Sequence, residues 1–410
     1  MNIALVTPYR LNEMAGVTTF VSRLQESLRE RGHETLVLEP GDDDWIRPVQ
    51  GSSHPARYTV NLRRVYSRRN VALKAFLAFW IYLPLSLHDL WSFFRRERIE
   101  VVHLHCPMPA SLYFCLLRVF SPWRLVITFH GSDIYTLGRR SWLYRSLLRL
   151  VVSRVDFITA VSADVLHAVA AAYPRLHAPS RSILNGNPIS DVAHTGRRTS
   201  PQSGLPRTYA LAVGSLIVRK GYDVLIRSVR LAKDAHQAMR LVIVGAGPEE
   251  RALAELTCEL GVDDLVVFAG EVSHEQIVSF YSRAQFFVHA ARQEAQGLVL
   301  LEAMSCGRAV IATRVNGIPE LVRDGETGLL VDPDDPAALA AAMIRLQREP
   351  ALCASLGSRG EEIVRREHSW NRCTDQYVDT YEEALRGRRI VNIGTWARGG
   401  RLPGGRRPLT

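Results

Sequence analysis

The sequence predicts an α/β protein of two domains, each a parallel sheet flanked by helices, with a ligand cleft between them. Three observations predict it. The 410 residues exceed one compact core and suit two domains. Short β-rich runs alternate with helical patterns along most of the chain, as parallel sheets require. One central stretch, residues 187–207, loses all periodicity and collects Pro, Ser, Gly, Thr and Arg, as a linker does.

In the first half, strands are expected at residues 2–6, 34–38, 100–105, 125–129, 157–160 and 181–184. Helices fill the gaps, among them 17–31, closed by Gly32, and 162–173, stopped by Pro174. A second series follows, with strands at 209–213, 240–244, 265–268, 286–289 and 309–312. There, Asp335-Pro336 reads as an N-cap followed by Pro at the first helical position, and Gly307 closes a helix after Met304-Ser305-Cys306. The expected organisation is a first domain at 1–188, a linker at 189–207 and a second domain at 208–367. A terminal helix at 368–385 packs back on the first domain, and a basic tail spans 386–410.

The net charge is +10, but the tail carries seven Arg and no acid, so the body is close to neutral. The tail lacks apolar periodicity and reads as disordered. Basic residues are not interleaved with aromatics along a sheet, which argues against a nucleic-acid partner. Six cysteines stand scattered with no C-x-x-C pair, so neither a disulfide framework nor a metal site is expected. The N-terminus runs straight into a strand pattern without a basic leader, and the expected compartment is the cytoplasm. The longest apolar run, residues 75–85, is too short to span a bilayer. It ends a stretch from Trp45 to His88 with seven Arg/Lys and no acid. Cations beside aromatics raise an anionic membrane surface as a candidate contact; the plainer reading is a core helix beneath the first sheet with solvated cations in a loop. Pro84 is expected to interrupt any long amphipathic helix there.

Ligands of open parallel sheets sit at the carboxyl ends of strands, so the loops after strands carry the chemistry. Glu294-Ala295-Gln296-Gly297 follows the strand at 286–289 and opens a helix that contains Glu302. Backbone amides near Gly297, Leu298 and Val299 would point out of that helix N-terminus, a seat for a diphosphate. Two carboxylates beside a phosphate seat suit sugar and ribose hydroxyls; alone they describe a capped helix with two solvated acids. A second loop, Gly214 to Gly221, carries Arg219 and Lys220, cations able to offset charge on a departing diphosphate. A third, His130-Gly131-Ser132-Asp133, follows the strand at 125–129. By itself His130 reads equally as a satisfied core histidine. Gly16 ends the loop after the first strand, where either a ligand-facing glycine or a plain turn glycine belongs.

In order, these pieces resemble the large family of retaining GT-B glycosyltransferases numbered four, which includes sucrose synthase and many polysaccharide and lipid glycosyltransferases. The matching motifs are Ala15-Gly16-Val17, Val102-His103-Leu104-His105, His130-Gly131-Ser132-Asp133, Val161-Ser162 and Asn185-Gly186. In the second half they are Arg219-Lys220-Gly221, Gly245-Ala246-Gly247-Pro248, the pair Glu294/Glu302, Gly317-Ile318-Pro319-Glu320, and Asp324 through Leu330. The ordered set covers residues 1–385.

The resemblance implies a GT-B fold of two facing Rossmann-like domains and transfer of a sugar from a nucleotide-diphosphate sugar to a glycan or lipid-linked hydroxyl. It implies that Lys220, with Arg219, grips the diphosphate. Glu294 would hold donor-sugar hydroxyls, His130 would face that sugar, and Glu302 would take the ribose hydroxyls. The backbone at Gly16, Gly297, Leu298 and Val299 would lie against the donor. The family commonly has Arg where this chain has Ser215; either Arg219 substitutes from the same loop, or the site is weaker for donor. An aromatic often precedes the glycine where this chain has Ala295-Gln296. No cofactor is expected, the nucleotide sugar being a substrate, and no metal: Asp42-Asp43-Asp44 reads as solvated loop. Rival readings on the same plan are a nucleotide-sugar epimerase or phosphorylase, or a non-catalytic nucleotide-sugar binder. A dehydrogenase is disfavoured because Gly245-Ala246-Gly247 lacks the third glycine of the dinucleotide fingerprint.

Overall fold

The computed structural model describes residues 1–11, 16–41, 46–49, 56–60, 73–118, 121–187, 206 and 208–387. Most of the expected linker, the tail beyond residue 387, and Asp42-Asp43-Asp44 lie outside the described residues, as do Arg63, Arg64, Arg68 and Arg69 of the basic stretch.

The first sheet contains β1 (Asn2–Val6), β2 (Glu34–Pro40), β3 (Ile46–Pro48), β4 (Arg57–Val60), β5 (Val101–His105), β6 (Arg124–Phe129), β7 (Phe157–Ala160) and β8 (Ser180–Ser182), in the order β3-β4-β2-β1-β5-β6-β7-β8. All neighbours are parallel except β3 and β4. The second contains β9 (Ala210–Val213), β10 (Leu241–Val244), β11 (Val266–Phe268), β12 (Phe286–His289), β13 (Ala309–Thr313) and β14 (Gly328–Val331), in the order β11-β10-β9-β12-β13-β14. It is parallel throughout. Both orders reverse once, between β1 and β5 and between β9 and β12, and a reversal opens a crevice at the carboxyl ends of the strands.

Strands buried on both faces explain the continuous apolar runs: every residue of β5, β7, β10, β12 and β13 is buried. Two expectations need correction. The strands β3, β4 and β14 were not anticipated. The helix Leu73–Arg96 also runs through Pro84 rather than stopping there. Pro84 is exposed, where water can satisfy the carbonyl left without its partner amide. Farther along, Leu90, Phe93 and Phe94 are buried in the core of the first domain. No helix among the described residues is long and apolar enough to cross a membrane.

The last helix, Trp370–Arg386, lies against the first domain although it follows the second in sequence. Its Cys373, Tyr377, Tyr381 and Ala384 are buried with Ile3, Leu5, Phe20 and Val101. Tyr381 Oη lies 2.7 Å from His103 Nδ1, and Arg31 Nε donates to Asp375 at 2.9 Å.

Candidate active site in the interdomain cleft

The loop after β12 turns into the helix Leu298–Ser305 through Gly297, whose φ of 90° lies in the left-handed region that glycine adopts without penalty. The first-turn amides of Leu298 and Val299 have no intrahelical acceptor. Glu294, in the loop, is buried and ion-paired with Lys220. His289 Nε2, at the end of β12, lies 3.0 Å from the same carboxylate oxygen. Burial pushes the Glu294 carboxyl up, but Lys220 and His289 outweigh it and hold it below the ordinary carboxylate range. Burial in turn pushes His289 down.

Lys220 reaches Glu294 because the loop after β9 is folded tightly. Residues Val218–Lys220 form a single 3₁₀ turn that ends at Gly221, φ 68°. A β-carbon there would stand 2.0 Å from the Ala290 carbonyl oxygen, so only glycine lets the turn lie on the end of β12. The Arg219 carbonyl accepts from the Arg292 amide at 2.8 Å. The Arg219 side chain is exposed, as is Ser215. The Gly245-Ala246-Gly247 turn packs against this loop: β-carbons at Gly245 and Gly247 would meet the Gly214 and Leu216 carbonyls at 2.2 and 2.4 Å. Its glycines thus serve loop packing.

Glu302, on the helix, accepts from Tyr281 Oη at 2.8 Å. Burial raises its carboxyl to about 7, against the lowering effect of the Tyr281 bond. Glu302 therefore titrates near neutrality while Glu294 stays ionised.

From the first domain, Gly16 approaches this helix: a β-carbon on it would lie 3.5 Å from Leu298 Cδ1. The His130–Gly131 turn comes closer still, a β-carbon on Gly131 falling 2.4 Å from Ala295 Cβ. Asp133 shapes this turn by accepting from the amides of His130, Gly131 and Ile134 at 3.1, 2.8 and 3.1 Å. His130 Nε2 lies 3.1 Å from His105 Nδ1, and burial lowers the His130 imidazole to about 3, so it is neutral.

The structure thus brings Lys220, Glu294, Gly297 and Leu298 together at the carboxyl end of the second sheet, with Gly16 and the His130–Gly131 turn of the first domain packed against this loop and helix. Sequence reasoning missed His289 and Tyr281, which buttress the two glutamates, and several contacts that join the domains. The Asn185 amide donates to Gln296 Oε1 at 3.0 Å, and Gln296 is buried. Glu320 accepts from the Ala163 and Asp164 amides at 2.8 and 2.9 Å, and Asn316 Nδ2 donates to Asp164 at 3.3 Å. Gln296, in the position noted for its departure from an aromatic, is therefore a domain contact. The ordered motif Gly317–Glu320 was the signal that could have located the Glu320 contact.

Two parallel-sheet domains, with a cation and a buried carboxylate beside a helix N-terminus and a second carboxylate within that helix, suit sugar-nucleotide chemistry. Two family models match this chain consecutively: Glycosyltransferase Family 4 over residues 14–189, and Glycosyl transferases group 1 over residues 197–363. The chain belongs to this glycosyltransferase family and has its two-domain GT-B fold. It is 27% identical over 379 residues to N-acetyl-alpha-D-glucosaminyl L-malate synthase of Bacillus anthracis, covering 89% of this chain and 93% of that protein. It is also 27% identical over 403 residues to phosphatidyl-myo-inositol mannosyltransferase of Mycobacterium leprae, covering 93% and 96%. Among solved structures, Anabaena HepE in complex with UDP superposes with a TM-score of 0.73 at 19% identity, over 93% of this chain and 100% of that one.

Proposed function

We propose that this glycosyltransferase moves a sugar from a nucleotide-diphosphate sugar to a hydroxyl of a glycan or lipid-linked acceptor, with retention of anomeric configuration and no divalent metal. The observation that carries this reading is the Lys220–Glu294 pair, set beside the first-turn amides of Leu298 and Val299 and facing the His130–Gly131 turn. HepE was solved with UDP, and the Mycobacterium leprae relative is named for a lipid acceptor; both support the donor and acceptor classes.

On donor binding, Lys220 exchanges its carboxylate partner for the diphosphate, with Arg219 and the helix amides supplying further positive potential. Glu294, ionised and anchored by His289, accepts from sugar hydroxyls. Glu302 accepts from the ribose. The C1–O bond breaks with its electron pair passing to the diphosphate oxygen. The acceptor oxygen attacks C1 on the same face and its proton goes to the departing phosphate oxygen. No protein nucleophile is needed, and His130, held neutral by burial in its turn, shapes the sugar wall. Proton NMR of the fresh product tests this: the donor's anomeric configuration is expected, and an inverted anomer would overturn it.

A further inference from the structure

We infer that the exposed face of the helix Trp142–Val152 docks on an anionic lipid bilayer beside the mouth of the cleft. The helix is anchored on one side and bare on the other. Leu148, Val151 and Val152 are buried, and the Ser141 hydroxyl caps the first turn by accepting from the Tyr144 amide. Residues 142, 145, 146, 149, 150 and 153 are all exposed, which is the helical repeat of a single face. That face reads Trp, Arg, Ser, Arg, Leu, Ser. Trp142 is 72% exposed and Leu150 40%.

Its charge is uncompensated. Arg139, Arg140, Arg145, Arg149 and Arg154 are all exposed, and none forms an ion pair among the described residues. Between Asp133 and Asp156 the chain has no acid. Asp133 is committed to backbone amides, and Asp156 is held by Arg118 at 2.9 Å and Arg124 at 3.3 Å. The elements packed against the helix, Pro109–Ser111 and Leu112–Arg118, contribute no acid either. Five cations flanking a protruding indole and leucine match a bilayer with anionic headgroups: the cations meet phosphates while the ring enters the interface. A phosphate backbone alone would satisfy the arginines and leave the apolar side chains in water. The helix lies on the connection that leaves the carboxyl end of β6 and returns to the amino end of the parallel strand β7. Its first turn therefore stands at the carboxyl edge of the first sheet, where a membrane-borne acceptor would enter.

Vesicle flotation with the full chain at low salt tests this, using phosphatidylcholine alone, phosphatidylcholine with phosphatidylglycerol, and single-stranded RNA as a competitor. It is read without donor, so its failure is distinct from a failure of glycosyl transfer. The chain should float with anionic vesicles and be released by salt. The triple variant Arg145→Gln, Arg149→Gln, Arg154→Gln should lower partitioning on the order of 100-fold. Trp142→Ala should lower it about tenfold at every salt concentration. All four side chains are exposed, so unchanged thermal unfolding verifies the fold of each variant. Equal flotation with neutral vesicles, undiminished flotation of both variants, or preferential capture by RNA would overturn the proposal.

Discussion

Glu320 of the second domain caps a helix of the first, its carboxylate accepting from the Ala163 amide at 2.8 Å and from the adjacent Asp164 amide at 2.9 Å. Two orphan donors at a helix N-terminus are thus satisfied by an anion from across the cleft, where the helix dipole also favours it. Glu320→Ala should cost about 1–2 kcal/mol and loosen the closed arrangement. Small-angle scattering should show a larger radius of gyration, and donor affinity should fall without loss of fold. A variant with wild-type dimensions and affinity would show that the cap does not hold the domains together.

Lys220 and Glu294 are coupled in the resting protein as well as in the proposed reaction. Lys220→Ala should reduce turnover by about 100-fold or more and strand a buried carboxylate. Adding Glu294→Gln removes that stranded charge, so the double variant should regain stability while remaining inactive. Thermal unfolding and nucleoside-diphosphate release separate the two effects. A double variant no more stable than Lys220→Ala would contradict the coupling.

Glu302 gives the protein a pH signature. Its carboxyl is raised from 4.5 to about 7 in the folded state. Between those values the native state holds the extra proton, so stability falls as pH rises through the window and levels off above it. Glu302→Gln should abolish that slope and stabilise the fold by up to about 3 kcal/mol at pH 8, with little change near pH 4. Donor binding by the wild type should weaken below pH 7 as the acceptor carboxylate is lost. Parallel pH slopes for both proteins would refute the burial argument.

Ser215 is exposed in the Gly214–Gly221 loop, in the position where the family commonly carries Arg. Ser215→Arg should therefore add a cation without a packing cost and tighten donor binding about tenfold. Arg219→Ala should weaken it by a similar factor if Arg219 substitutes for the missing residue. Titration calorimetry with nucleoside diphosphate measures both, and indifference to Arg219→Ala would dismiss the substitution. The same titration in EDTA should give the same affinity, whereas a requirement for manganese would count against charge neutralisation by protein alone.

Much of the fold was legible because buried parallel strands announce themselves as apolar runs: β1, β7 and β12 have the boundaries expected from sequence. The short strands β3 and β4 were not, since Ile46–Pro48 and Arg57–Val60 sit at a sheet edge among Pro and Arg, with little apolar pattern to read. The candidate site was legible as loops after strands, each with Gly, a cation or an acid. Its pairing was hidden. Lys220 and Glu294 lie 74 positions apart, and nothing local indicates that one turn of the first loop delivers the ammonium to the second. His289 and Tyr281 read as ordinary strand and helix residues, because their role depends on which carboxylate the fold sets beside them. Gln296 likewise gains its meaning only from Asn185 in the other domain.

Donor turnover tests the central claim most directly. Wild type and Lys220→Ala would be incubated separately with UDP-, GDP- and ADP-sugars, and released nucleoside diphosphate followed by a coupled assay. At least one donor should be hydrolysed slowly without acceptor by the wild type, with the rate falling about 100-fold or more in the variant. Release of no diphosphate from any donor, with or without acceptor, or equal rates for the two proteins, would contradict a glycosyl transfer centred on Lys220.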